Sequence, residues 1–350
     1  MTYEDIFAKC NTDAGYFGAF RAAGDRTFTM PVIDSVPGSK MTIAGKQYIM
    51  WSINNYLGLA GHEEVKQAAK EALEIWSTSG PMGSRMMSGN TPEHIALEEG
   101  LADFAQKESS ILFNYGYLGV IGTVASLVGP DDVIVMDKLA HASIVDAAIS
   151  AVSDRRKLRV FKHNDMDSLE KILKQVNEKR KGGVLVLTEG VYGMTGDLAK
   201  LDEICALKDK YEARLFVDDA HGVGVMGKNG VGTGEYFGVQ DKIDIYFGTF
   251  AKAFASIGGF SAADKPVTEW IRYNSRTQVF AKSLPMIYVK SLQKTLELVR
   301  NGADRRKKLF HISDKLSEGL KALGFYVGDV KSPIIPVFVP GGDPKIGMEW

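Results

Sequence analysis

Cysteine is nearly absent. Cys10 and Cys205 are the only two in 350 residues, too few for a disulfide framework or a thiolate metal cage, and this fits a reducing compartment. The six histidines have no ligand-like spacing, so no metal site is expected. An excess of one charge is missing too. The chain has 42 Lys and Arg against 43 Asp and Glu, a formal net charge of -1, which argues against nucleic acid or another polyanion as a partner. The basic runs Arg155-Arg156-Lys157 and Arg305 to Lys308 are short enough to be solvated helix ends. No run reaches the ~18 apolar residues of a clean membrane span. The start, MTYEDIFAKCNTD, carries acids and no apolar segment, so it does not read as a signal peptide. Repeats, low-complexity tracts and flexible linkers are all lacking. These absences lead to the expectation of a cytoplasmic enzyme with a sizeable core.

What is present is an alternation. From Ser109 onward, short apolar runs (SSILF, DVIVM, LRVFK, GVLVLT, ARLFVDD, DIYFG and the returning GGFSAA) are separated by amphipathic segments. The helical ones include Leu118 to Val128, Ile144 to Val152, Met166 to Lys179 and Leu201 to Lys210. Upstream, KQYIMWS is strand-like and Glu63 to Ser77 helix-like, and Thr91-Pro92 caps a helix running to about Lys107. Downstream, Pro266 to Arg276 and a long stretch from Ile287 to Leu323 read as helices, and SPIIPVFVP as a strand of a second, smaller α/β unit. Such alternation predicts crossover connections and a largely parallel sheet covered on both faces. Ligands bind beyond the carboxyl ends of such strands. Those ends carry Asn114-Tyr115-Gly116-Tyr117, then Asp137 and His141, then Thr188 and Glu189, then Asp218 and His221, and finally Gly248, Thr249 and Lys252.

Lys252 is the only charged residue of the stretch IYFGTFAKAFASIGGFSAA, Ile245 to Ala263. One reading is a membrane span, which Thr249, Ser256 and the glycines weaken. Another is a lysine that snorkels to the surface. The third is an amine desolvated so that its neutral form can be a nucleophile. The strand ends weigh on this choice as a set. Asp218 ends a strand expected to be buried and needs a cationic or hydrogen-bonding partner. Gly116 and Tyr117 open a helix whose free N–H groups suit a phosphate. A buried amine, a buried carboxylate, imidazoles and an anion cradle together fit pyridoxal 5′-phosphate.

The motifs GTFAKAFASIGGF, VDDAHGVGVMGKNGVG, DKLAHASIVDA, TEGVYGMTGD and GSRMMSGN jointly resemble the α-oxoamine synthase family of fold-type I pyridoxal-phosphate enzymes. The likeness runs from about residue 40 to the end. It implies an α/β fold with a large domain built on a mainly parallel seven-stranded sheet, plus a smaller α/β C-terminal domain. The expected boundaries are an N-terminal arm over 1–45, the cofactor domain over 46–285 and the small domain over 286–350. By the same resemblance Lys252 forms the Schiff base and removes the substrate's α-proton, and Asp218 pairs with the ring nitrogen. His221 bonds the phenolic oxygen, and His141 stacks on the ring and touches the substrate carboxylate. Thr249, Gly116 and Tyr117 hold the phosphate, Glu189 lies beneath the cofactor, and Asn55 lies near the amino-acid carboxylate.

The chain departs from the family pattern in places. Gly193 replaces the usual serine four residues after that acid. In VFAKSLP, Ala281 and Lys282 stand where hydroxyls are often found, leaving Ser283 to reach a neighbouring subunit's phosphate. The arginine that clamps the substrate carboxylate falls beyond Trp350 in the family, so the chain is expected to be truncated. Overall likeness implies condensation of L-serine with a long-chain acyl-CoA, palmitoyl-CoA, to give 3-ketodihydrosphingosine, CoA and CO2, the first step of sphingolipid synthesis. A homodimer, and peripheral contact with the inner face of a membrane, go with that reading. The alternatives are glycine users that make 8-amino-7-oxononanoate or 2-amino-3-ketobutyrate, and a non-catalytic subunit of the same fold. Taken singly, His141 reads as a cap histidine, Asp218 and Gly116 as turn formers, and Arg85 and His94 as helix-flank residues. Cys10, Cys205, His62, His163 and His311 carry no functional expectation.

Overall fold

The computed structural model describes residues 30–329 and 331–339, together with 5–13, 15, 17, 18 and 21. Part of the expected arm, and the end of the expected small domain from 340 on, lie outside the described residues. The chain divides into two compact units, Asn54–Phe338 and a smaller one of Met1–Ile53 with Val339–Trp350. In the smaller unit β1 (Lys40–Ile43) and β2 (Lys46–Ile49) form an antiparallel hairpin. Its two turn residues, Ala44 and Gly45, both have positive φ, 49° and 74°, the backbone that a tight two-residue hairpin requires.

The larger unit is built on seven strands: β3 (Ser109–Phe113), β4 (Val133–Asp137), β5 (Leu158–Phe161), β6 (Val184–Glu189), β7 (Arg214–Asp218), β8 (Ile245–Thr249) and β9 (Gly259–Ala263). Their order is β3-β9-β8-β7-β6-β4-β5. Only β9 runs against its neighbours β3 and β8; the remaining pairs are parallel. Every residue of β6, β8 and β9 is buried, as expected of strands with helices on both faces. Alternate residues feed two separate apolar layers. Val186, Leu215, Val217, Tyr246 and Phe260 join one, and Leu185, Leu187, Phe216, Ile245 and Phe247 the other.

All seven expected strands form, and the main helices lie where the periodicity places them. Thr91 caps the helix Pro92–Phe104 by accepting the His94 N–H at 3.4 Å, with proline at its start. Two expectations fail. The long helix is two helices, Met286–Arg300 and Ala303–Ala322, because Asn301 and Gly302 end the first before the second begins. SPIIPVFVP forms no strand over its described residues. The side chain of Ser332 instead donates to the Gly196 carbonyl at 2.7 Å, and Pro333 and Pro336 each remove a donor that a ladder would need.

Candidate active site

The register of the parallel strands aligns their carboxyl ends. Glu189 pairs with Asp218 across β6 and β7, and Asp218 with Phe247 across β7 and β8. Two carboxylates therefore lie side by side at the end of the sheet, buried to 6% and 5% exposure. Lys252 follows β8 in a loop closed on itself by Phe250 N–H to Gly258 O (2.9 Å), Ala255 N–H to Lys252 O (2.9 Å) and Ser256 N–H to Phe250 O (2.8 Å). Phe250, Ala253 and Phe254 are wholly buried while Ala251 is exposed, so the loop is anchored by its aromatic rings and leaves Lys252 partly buried. Gly258, at φ +107°, turns the chain back. A Cβ there would stand 2.6 Å from the Phe113 carbonyl oxygen.

Burial lowers the pKa of Lys252, against the opposing pull of Asp218, Glu189 and Asp219. The carboxyls respond in the complementary sense. Burial, then repulsion from Asp218, lifts Glu189 to about 8, although Lys252 and the backbone N–H groups of His141 and Gly193 oppose it. Burial also raises Asp218, against Lys252, His141, the Ala220 N–H and the Ser143 hydroxyl. The next residue, Asp219, is lifted to about 6 by burial although Thr233 and Tyr246 donate to it.

His141 caps the helix Ala142–Ala151, as its ordinary reading suggested. Its Nδ1 accepts the Ser143 N–H at 3.2 Å, and the Ser143 hydroxyl lies 2.8 Å away. Capping puts the ring's proton on Nε2, and the residue itself is exposed. The hydroxyl of Ser143 links this cap to Asp218. His221 is partly buried, and its pKa falls to about 3 through burial first and then the charge of Lys252. Its Nδ1 lies 2.8 Å from the hydroxyl of Tyr56. Neither Ser143 nor Tyr56 was singled out from the sequence. Ser143 could have been found as the residue two past His141 at a helix start. Tyr56, 165 residues before His221 in the chain, left no local signal.

Gly116 starts the helix Gly116–Leu127 against Thr249. A Cβ at 116 would stand 2.7 Å from Thr249 Oγ1, so glycine alone lets the helix start close on that hydroxyl. The side chain of Tyr117 points away to Asp146, leaving its backbone N–H for the cradle. Asn55 uses its side-chain oxygen to accept the Ala60 N–H at 3.2 Å, closing its own loop. Ser283 is 2% exposed, and its hydroxyl has no hydrogen-bond partner among the described residues. The preceding Lys282 carbonyl accepts from the amide of Asn114, just ahead of the cradle.

These residues fit pyridoxal phosphate. A helix start held to glycine beside a hydroxyl suits its phosphate. The Asp218 carboxyl, raised by burial, suits a protonated pyridine nitrogen that would hold it as the anion. A desolvated amine beside them suits its aldehyde.

Fold and site together define a fold-type I pyridoxal-phosphate transferase. The aminotransferase class I and II family matches residues 46–345. The chain belongs to that family, and within it to the α-oxoamine synthases, which are pyridoxal-phosphate-dependent acyltransferases. It is 44% identical over 345 residues to a cysteate-C-fatty acyltransferase of Capnocytophaga ochracea, covering 98% of this chain and 81% of the relative. It is 38% identical over 325 residues to an 8-amino-7-oxononanoate synthase of Geotalea daltonii, covering 92% and 81%. Among solved structures, the serine palmitoyltransferase of Sphingomonas wittichii superposes with a TM-score of 0.87 at 32% identity, over 95% of this chain and 82% of that one.

Proposed function

We propose that this chain condenses a small L-amino acid with a long-chain acyl-CoA, with loss of CO2. The observation that carries the reading is the grouping of Lys252, Asp218 and Glu189 at the ends of adjacent strands, with burial shifting all three pKa values toward the neutral forms. Overall, a bond forms between the amino acid's Cα and the thioester carbonyl carbon, CoA leaves as the thiol, and the carboxylate departs as CO2. Pyridoxal phosphate, when bound, supplies an electron sink for the pair left on Cα.

The chain's own residues do the rest. Lys252 Nζ, kept in its neutral, proton-accepting form by burial, takes the Cα proton. Asp218 holds positive charge at the ring nitrogen, and the N–H groups of Gly116 and Tyr117 with the Thr249 hydroxyl hold the phosphate. Glu189, neutral below about pH 8, would help hold the ring without adding a second negative charge to Asp218, its neighbour across β6 and β7. His141, with Nδ1 engaged by its helix, turns Nε2–H toward the substrate to orient the carboxylate and polarise the thioester carbonyl. His221 bonds the phenolic oxygen and Asn55 approaches the amino-acid carboxylate. Ser283, with an unengaged hydroxyl, serves the phosphate of a second copy in a homodimer. The long-chain ketone product favours peripheral contact with a membrane. Among the described residues, no helix is long and apolar enough to cross one.

L-Serine is the first reading for the amino acid, supported by likeness to the serine palmitoyltransferase structure. Cysteate, which carries a sulfonate where serine has its hydroxyl, is the second, supported by the 44% identity to a cysteate-C-fatty acyltransferase. Presenting serine, cysteate and glycine separately to the purified holoenzyme, and reading the cofactor's visible spectrum and then thiol release with palmitoyl-CoA, discriminates them. Lys252→Ala abolishes turnover, and borohydride no longer fixes cofactor to the protein. Retained activity in that variant, or no spectral response to any amino acid, overturns the proposal.

A further inference from the structure

His221 stands at the site with its two ring nitrogens in different surroundings. Nδ1 faces the Tyr56 hydroxyl at 2.8 Å, and the rings meet at 61° with centroids 6.1 Å apart. Nε2 has no hydrogen-bond partner among the described residues and is not enclosed. It lies over Gly193, where a Cβ would come within 2.6 Å of it. Glycine at 193 therefore does two things: it makes room for the ring, and it offers Nε2 no side-chain partner. Among the described residues, Tyr56 is left as the one side chain that bonds the ring.

A neutral imidazole carries one proton, and which nitrogen holds it is set by the bond the other makes. The Tyr56 hydroxyl also has a single proton to give. Its candidate acceptors are His221 Nδ1 at 2.8 Å and Asn54 Oδ1 at 3.5 Å, and the second distance is too long for a full hydrogen bond. Burial raises the pKa of Tyr56, so the phenol keeps its proton. Burial, then the charge of Lys252, keeps His221 neutral. With the phenol donating to Nδ1, the imidazole proton is on Nε2, on the open side of the ring.

We propose that Tyr56 is a positioning residue: it holds His221 as the Nε2–H tautomer, so that the site presents a neutral donor, over Gly193, to an anionic oxygen. Resting on the reading of this site as a cofactor pocket, that oxygen is the deprotonated phenolic oxygen of the ring. A neutral donor suits it because a second cation beside Lys252 would oppose protonation of the amine. Tyr56 need not touch substrate or cofactor; it acts through the imidazole.

The test is nitrogen NMR of protein labelled at histidine, before and after loading with pyridoxal phosphate, since protonated and bare ring nitrogens resonate far apart. His221, assigned by its loss in His221→Asn, is expected to be a single Nε2–H tautomer in both states. In Tyr56→Phe, which keeps the ring and loses the hydroxyl, it becomes a mixture of tautomers. Cofactor affinity there falls about five- to tenfold, and the midpoint of the cofactor's absorbance change with pH moves. An Nδ1–H tautomer in the wild-type protein overturns the proposal, even if Tyr56→Phe does not fold, and so does an unchanged tautomer in a folded Tyr56→Phe. Failure of the cofactor to bind wild-type protein would instead overturn the functional reading, because the tautomer is read in cofactor-free protein as well.

Discussion

His163 is the place where charge and stability are coupled most directly. Its Nδ1 lies 2.9 Å from Asp137 Oδ1 and its Nε2 2.9 Å from Asp197 Oδ2. Both nitrogens can donate only if the ring is a cation; a neutral ring would turn a lone pair on one carboxylate. Each acid is further held, Asp137 by the Leu139 and Asn164 N–H groups at 2.7 and 3.0 Å and Asp197 by the Asn164 amide at 2.8 Å. The ring also meets Tyr192 edge-on at 4.4 Å. Burial alone would lower the imidazole's pKa, but hydrogen bonds to Asp137 and Asp197 outweigh it and lift the value from 6.5 to about 9. Because the folded value lies above the unfolded one, the contribution is complete below pH 6.5 and is lost as pH rises toward about 9. At ~1.36 kcal/mol per pH unit, the shift is worth at most about 3.4 kcal/mol. The ring is 22% exposed and Asp197 31%, and solvent screening at that rim reduces the figure to about 2–3 kcal/mol. Urea unfolding between pH 6 and 10 should show this loss in the wild type. Glu189, also raised, loses stability with rising pH in the same sense, so the comparison with His163→Gln isolates the imidazole. The variant should be less stable at pH 6, and the gap should close toward pH 10. A gap that stays constant with pH would refute the charged-imidazole argument.

Two further perturbations test the frame around the site. Glu98, 5% exposed, accepts from Arg85 at 2.9 and 2.9 Å, from Arg272 at 3.4 and 3.2 Å and from the Leu112 N–H at 2.9 Å. Glu98→Ala leaves two guanidinium groups in a shared site and should cost about 3–5 kcal/mol in denaturant unfolding; a loss below ~1 kcal/mol would mean that the triad is solvated. Gly116→Ala sets a methyl 2.7 Å from Thr249 Oγ1. It should weaken cofactor binding by at least about tenfold (~1.4 kcal/mol) in an absorbance titration while costing far less in unfolding of cofactor-free protein. Unchanged affinity would remove the cradle from the site.

Legibility followed how local each signal was. The seven strands were readable because each is a short apolar run, most of them largely or wholly buried, and a buried strand leaves its mark within a few residues. Thr91-Pro92 was readable for the same reason, since a cap and a first-turn proline are adjacent in sequence. The break at Asn301-Gly302 was missed because apolar spacing continues on both sides of it, and 37 residues of helical pattern, Ile287 to Leu323, hide a two-residue stop more easily than a short run does. SPIIPVFVP misled through its composition. Val337 and Phe338 favour strand, but Pro333 and Pro336 deny the ladder its donors, and Ser332 bonds elsewhere.

Within the site, the same distinction separates what the chain disclosed from what only folding supplies. Lys252 among its apolar neighbours was ambiguous until Asp218 and Glu189 stood beside it at the ends of neighbouring strands. Burial then acts on all three at once, lowering the amine and raising both acids, which no residue's local sequence specifies. The histidines divide the same way. His141 was legible as a helix cap, and it is one, its Nδ1 accepting the Ser143 N–H. His163 was passed over because neither Asp137 nor Asp197 is near it in the chain, at 26 and 34 residues. His221 is governed by Tyr56 from still further away, and by the absence of a side chain at Gly193. A histidine's charge and tautomer are properties of what faces its two nitrogens. The chain names the imidazole, and the fold decides whether it is a structural cation, as at His163, or a neutral donor, as at His221.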